Sequence, residues 1–292
     1  MSALVRYFLS KGKKVGGYDR TPSELTEKLI EEGAAIHYEE STELITDAFR
    51  DPATTLVVYT PAVPDTHKEF TYFRENGFEI HKRSQVLGML THAGKGLCVA
   101  GTHGKTTTST MTAHLLHQSH VGCNAFLGGI SKNYGTNLLL SDSSEYMVIE
   151  FDRSFHWLSP YISVITATDP DHLDIYGTKE AYLESFRKYT SLIQPGGALI
   201  VRKGIELQPA LQNGVKLYTY SQEEGDFHAE NIRIGNGEIF FDYVSPLGNI
   251  PNIQLGVPVS INIENGVAAM TLAQMSGLTD EEIKRGMASF HG

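Results

Sequence analysis

The sequence predicts an α/β protein with a mostly parallel sheet, organised as two domains. Three observations carry this. Short apolar runs alternate with helical periodicities along the first hundred residues. A compact apolar run, Leu97 to Ala100, leads through glycines into a long helix. The 292 residues also exceed what one ordinary core needs.

Taken in order, Ser2 to Ser10 has helical apolar spacing, and Lys13 to Tyr18 is a short extended run ending at Asp19. Ser23 to Glu32 reads as a helix, with Ser23 as N-cap, Thr26 and Glu27 behind it and Gly33 as the stop. Thr55 to Tyr59 is a strand followed by the loop Thr60 to Pro64. A helix around Thr66 to Asn76 and a strand at Phe78 to His81 continue the rhythm. Ser84 to Ala93 reads as a linking helix, with the domain boundary near residue 94. Beyond it, strands are expected at Leu97 to Ala100, Tyr146 to Ile149, Ser163 to Thr166 and Ala198 to Val201. Helices are expected at about Thr106 to His117 and at Lys179 to Ile193, the latter closed by Pro195-Gly196-Gly197. Ile232 to Ile234 and Glu238 to Tyr243 flank Gly235-Asn236-Gly237 as a hairpin, and Asn262 to Met275 and Thr279 to Ala288 are the last helices.

Composition excludes several classes. Hydrophobic residues at 41% and charged residues at 20% are wrong for a disordered tail. A net charge of −10 argues against a general binder of nucleic acid or anionic membrane, although one local basic site can still hold a phosphate. Cys98 and Cys123 have neither metal-ligand nor disulfide-framework spacing, which suits a reducing cytoplasm. No apolar run has the length of a membrane span, and Arg6 within Leu4 to Phe8 argues against a signal peptide.

The chemistry concentrates in Gly101-Thr102-His103-Gly104-Lys105-Thr106-Thr107, between strand and helix. The eight-residue Walker pattern fails because Val99 stands five positions before Gly104. The parts remain: two glycines that let backbone N–H groups approach oxygen atoms, a helix N-terminus, a lysine charge, and a Thr106 hydroxyl able to ligate Mg²⁺. A tight strand-to-helix turn with an incidental lysine is the alternative. Glu150, at the end of a parallel strand, is a candidate ligand for a hard cation, with a solvated strand-end glutamate as its alternative.

Gly101 to Thr108 resembles the ATP loop of the Mur ligase superfamily, the ATP-dependent amide-bond ligases of cell-wall precursor synthesis. Phe126-Leu127-Gly128-Gly129, Asp152-Arg153-Ser154-Phe155 and the run Thr166 to Asp174 extend the resemblance over nearly the whole chain. In combination they are most similar to the members that join L-alanine to UDP-N-acetylmuramate. The resemblance implies a Rossmann-like UDP-sugar-binding domain over 1–93 and a central ATPase domain over 94–292, with the family's third, C-terminal domain absent from these residues. It also implies ATP and Mg²⁺ as cofactors, a cytoplasmic enzyme of peptidoglycan synthesis, a monomer or homodimer, and no nucleic-acid partner.

By the same resemblance, Lys105, Glu150 and His172 are the catalytic group. Gly101 to Thr107 and Asn265 hold ATP, and Thr106, Glu150 and His172 hold metal. Asp19, Thr60, Pro61, Ala62, Asn137, Ser154 and Phe155 contact the sugar nucleotide. Ordinary readings stand beside these: helix capping for Asn262 and Asn265, and turn chemistry for Asp19 and Pro61. Trp157 and Tyr161 are expected in the core. His114, His117 and His120 are expected on a partly exposed helix face, and Lys11, Lys13 and Lys14 in solvent.

The chain departs from the family at four points. It begins at Met1-Ser2-Ala3, just after the family's glycine-rich turn, and ends at Phe290-His291-Gly292. It also has Glu150-Phe151-Asp152 where the family has Glu-Ala-Asp-Glu before the matching residues, and Ile261 where the family has histidine. Two other functions stay open at this point: a related muramyl peptide ligase of wall recycling, and a nucleotide-binding module without catalysis.

Overall fold

The computed structural model describes residues 1–150, 157–169 and 178–292. The chain divides into two compact units, Met1–Leu87 and Gly88–Gly292. The division falls inside the helix that the sequence reading treats as a linker to residue 93.

The first unit is built from α1 (Ser2–Ser10), β1 (Gly16–Tyr18), α2 (Glu24–Glu31), β2 (Ala35–His37), β3 (Leu56–Tyr59), α3 (Lys68–Glu75) and β4 (Glu79–Lys82). Its strands form two parallel pairs, β1 with β2 and β3 with β4. Ser23 caps α2 through a reciprocal box with Thr26, a device worth about 1 kcal/mol. Arg6 on α1 grips Glu32 with a 2.8 Å ion pair, and Leu4, Leu29, Ala34 and Phe78 are buried.

α4 (Arg83–Thr91) leads into the second unit, whose central strand is β5 (Lys95–Ala100). Then come α5 (Lys105–His117), β6 (Asn124–Ser131), β7 (Thr136–Leu139), β8 (Tyr146–Glu150), β9 (Pro160–Ile165), α6 (Lys179–Thr190), β10 (Ala198–Arg202) and β11 (Lys216–Tyr220). The sheet order is β11-β10-β9-β5-β8-β6-β7, parallel except at the β6–β7 edge. A second sheet, β12 (His228–Gly235), β13 (Glu238–Val244) and β14 (Ile250–Gln254), is antiparallel; α7 (Ile261–Met275) and α8 (Asp280–Ser289) follow.

Alternation along β5 explains the layering. Leu97 and Val99 enter a core shared with α5, α7 and α8, whereas Cys98 and Ala100 enter one shared with Tyr182, Phe186 and Tyr189 on α6. Both faces of the sheet are thus covered, as all-parallel strands require. Both cysteines are free and buried, and burial pushes each thiol up to about 12. Among the described residues no helix is long and apolar enough to cross a membrane.

Two expectations need correction. Trp157 is 41% exposed; its backbone lies against Gly88, and its carbonyl accepts from His92 Nε2 at 3.0 Å. His114 does not share an exposed face with His117 and His120. It is buried, with Tyr134 Oη 2.7 Å from Nδ1 and Ser289 Oγ 2.9 Å from Nε2. The reason is that α5 is enclosed by the sheet, α7 and α8, so it has almost no solvent side.

Burial lowers the His114 pKa from 6.5 to about 4. As pH falls through 6.5 the unfolded chain takes up a proton that the folded chain refuses until about pH 4. Stability from this group is therefore full above 6.5 and declines across that window, by at most about 3 kcal/mol. Denaturant melts at several pH values should show a steeper acid slope for the wild type than for His114→Gln; equal slopes would contradict this assignment.

Candidate functional site

The site is set by topology. From β5 the chain goes by α5 to β6 on one side, and β9 lies on the other, so β5 is where the strand order reverses. Open α/β sheets bind ligands beyond the carboxyl ends of strands at such a point. Here three strand ends converge: the 101–107 loop after β5, Glu150 at the end of β8, and Thr166 immediately after β9.

Gly101 has φ +137° and Gly104 has φ +78°, conformations that favour glycine. A Cβ on Gly101 would collide with Thr166 Oγ1 and Ala167, and one on Gly104 would lie 2.8 Å from Asn265 Oδ1. The loop is therefore pressed against both β9 and α7. Gly104 is the N-cap of α5 and supplies no side-chain acceptor to the helix. A Ser or Asp there would satisfy one of the first N–H groups; glycine leaves them for an anion. Thr102 Oγ1 is buried without a hydrogen-bond partner in the described structure, an unsatisfied polar atom beside the same turn. Lys105 Nζ lies 3.3 Å from the Thr102 carbonyl.

Thr106 Oγ1 donates to Glu150 Oε1 at 2.9 Å, so the hydroxyl and carboxylate expected to act together do meet. Gly128 on β6 makes this possible, because a Cβ there would fall on the Glu150 carboxylate. Two hard oxygen donors at the mouth of the loop suit Mg²⁺ chemically. Among the described residues no set of three His, Cys, Asp or Glu side chains forms a fuller metal cluster.

Asn265 also reaches the loop. Its Oδ1 is 3.4 Å from Thr108 Oγ1, and its Nδ2 donates to Asn262 Oδ1 at 3.1 Å. Neither amide makes the N-terminal cap of α7; that position is Ser260, without a side-chain bond. Ile261, in the family's histidine position, is 62% exposed. Asn137 lies on β7. His172, Ser154 and Phe155 lie outside the described residues.

In the first unit, Asp19 follows β1, accepts from Thr21 N–H at 3.2 Å and is exposed. Thr60, Pro61 and Ala62 follow β3, with Val63 N–H bonding the Thr60 carbonyl at 3.0 Å. Sequence reading missed a cluster near Asp19. The Tyr18 and His67 rings pack at a tilt, centroids 4.6 Å apart, His37 Nε2 lies 2.8 Å from Glu69 Oε1, and His67 Nε2 is buried without a partner in the described structure. Its available signal was only that Tyr18 and His37 end strands.

Fold and site together define a doubly wound α/β protein with a glycine-bearing loop and a helix N-terminus at the switch point. Residues 99–273 match the Mur ligase middle domain and residues 1–95 the Mur ligase family catalytic domain. The chain belongs to the Mur ligase family. It is 98% identical over 295 positions to a UDP-N-acetylmuramate–L-alanine ligase of Phocaeicola vulgatus, and 65% identical to one of Parabacteroides distasonis. Each comparison covers the whole chain but 64% of the relative, so the chain spans about two thirds of their length at most. The Phocaeicola alignment has 295 positions against 292 residues here, so three residues of that relative have no counterpart. Among solved structures, the alanine ligase MurC of Thermotoga maritima superposes with a TM-score of 0.82 at 25% identity, covering all of this chain and 66% of that one. A UDP-N-acetylmuramate:L-alanyl-γ-D-glutamyl-meso-diaminopimelate ligase of Neisseria meningitides gives 0.84 at 20% identity, covering 100% and 95%, a likeness of fold alone.

Proposed function

We propose that this chain carries the sugar-nucleotide and ATP domains of a UDP-N-acetylmuramate–L-alanine ligase. The observation that carries the reading is 98% identity to the Phocaeicola ligase across the entire chain. The loop geometry supports it independently. A carboxylate does not acylate an amine at neutral pH because oxide is a poor leaving group. ATP supplies the phosphoryl group that makes the muramate carboxylate an acyl phosphate, and Mg²⁺ supplies charge neutralisation. The alanine amine then attacks the carbonyl carbon and phosphate leaves.

The chain's own residues position these reactants. Gly101 to Thr107 offer N–H groups to the phosphates, and Lys105 adds a full positive charge beside them. Thr106 and Glu150 are the residues that would hold Mg²⁺. Asn265 is assigned to the nucleobase, whose polar edge an amide can pair with, although Ile261 stands where the family has histidine. Asp19, Thr60, Pro61, Ala62 and Asn137 are assigned to the sugar nucleotide, and His172, Ser154 and Phe155 keep the roles the family resemblance implies.

Phosphate release by the purified protein should require ATP, UDP-N-acetylmuramate and L-alanine together. Equal release without the sugar nucleotide or the amino acid would refute the ligase reading. One observation favours a second reading. By the family resemblance, Glu150-Phe151-Asp152 is shorter than the family motif and lacks one of its carboxylates. In that reading the chain binds ATP but does not turn it over. Tight ATP binding with no phosphate release under any substrate combination would favour it.

A further inference from the structure

Thr166 belongs to none of the groups assigned above, yet it is the side chain most closely engaged with the loop. It is 5% exposed, immediately beyond β9. Its Oγ1 lies 2.5 Å from the His103 carbonyl and 3.2 Å from the Ala100 carbonyl. A hydroxyl carries one proton, and the shorter distance assigns it to His103. The Thr166 N–H independently bonds the Ala100 carbonyl at 2.9 Å, and Thr102 N–H bonds the Ala167 carbonyl at 3.2 Å. The loop is thus fixed to the end of β9 at consecutive points.

The His103–Gly104 peptide is the point of interest. The described chain contains no cis peptide bonds, and in a trans peptide the C=O and N–H point in opposite directions. Drawing the His103 carbonyl back onto Thr166 therefore aims the Gly104 N–H away from β9. Gly104 tolerates either orientation of this peptide, since its φ of +78° already lies where only glycine is at ease. Without the hydroxyl, nothing in the side-chain geometry stops the peptide from rotating its carbonyl oxygen toward an incoming phosphate, where it would repel the anion.

We propose that Thr166 is a positioning residue for phosphate binding: its hydroxyl locks the His103–Gly104 peptide with the N–H facing the anion. This rests on the reading that the 101–107 loop holds nucleotide phosphates. The test compares the wild-type chain with Thr166→Ala, which removes the hydroxyl without adding bulk, and Thr166→Ser, which keeps it. Calorimetric titration with ADP and with AMP is the readout, with circular dichroism to establish folding. The wild type should bind ADP more tightly than AMP. Thr166→Ala should lose about tenfold in ADP affinity and most of its preference for ADP, while Thr166→Ser should stay within about threefold of wild type. A merely structural threonine would weaken both nucleotides alike. Wild-type discrimination in a folded Thr166→Ala protein overturns this proposal and leaves the loop reading standing. Failure of the wild type to bind ADP overturns the loop reading, and this proposal with it.

Discussion

Lys105→Ala gives a folded protein that has lost ATP binding by at least about a hundredfold, the scale on which one preorganised charged donor contributes to such sites. The argument begins with the helix. Lys105 is the first residue of α5, whose exposed N–H groups make that end electropositive. A lysine there opposes the helix dipole, and alanine is the better helix former. Its Nζ reaches the Thr102 carbonyl at 3.3 Å, a long bond that stabilises little. On propensity and dipole the helix gains nothing from lysine over alanine at this position, and a melting temperature within a few degrees of wild type is the expected result. A dianionic or trianionic phosphate reverses the balance, because the ammonium group and helix end then act on one ligand. Titration calorimetry with ATP and a thermal melt on the same preparation separate the two effects. Undiminished affinity would show that the phosphates are not bound at this loop; a collapsed melt would show that Lys105 is structural.

The sequence was informative wherever chemistry is carried by neighbouring residues. The glycines, lysine and threonine of the loop are contiguous, so their order between strand and helix could be read directly. Glu150 was legible as the last residue of an apolar strand. Thr166 and Gly128 were not, because their meaning appears only when β5, β6, β8 and β9 align. Thr166 and His103 are 63 positions apart. The strands missed in the reading, β2, β6, β7, β11 and β14, are short, glycine-containing or half-exposed, so neither strict alternation nor a continuous apolar run marks them. His114 failed for the opposite reason. α5 is buried on nearly every side, so its polar and apolar residues form no stripe, and spacing could not separate a core histidine from a surface one.

Gly128→Ala should weaken the Mg²⁺ dependence of nucleotide binding while leaving stability nearly unchanged, an unusual combination that follows from what the added methyl meets. Its Cβ would fall on the Glu150 carboxylate, whose atoms are the three nearest that it meets. Gly128 also lacks the positive φ that would strain an alanine, and in a strand alanine lowers the unfolded chain's entropy relative to glycine. The clash is relieved by rotating the end of one flexible side chain, which costs little. That rotation takes the carboxylate from the Thr106 hydroxyl, now 2.9 Å away, and breaks up this pair of oxygen donors at the loop mouth. Glu150→Gln removes the charge without moving the group, so the two variants should share one phenotype: weakened Mg²⁺ dependence of nucleotide binding and loss of phosphate release by about a hundredfold or more. Titrating Mg²⁺ against bound ADP reads this even if the chain never releases phosphate. If Gly128→Ala retains wild-type Mg²⁺ dependence while Glu150→Gln loses it, the carboxylate works from another position, and the glycine is there for the strand alone.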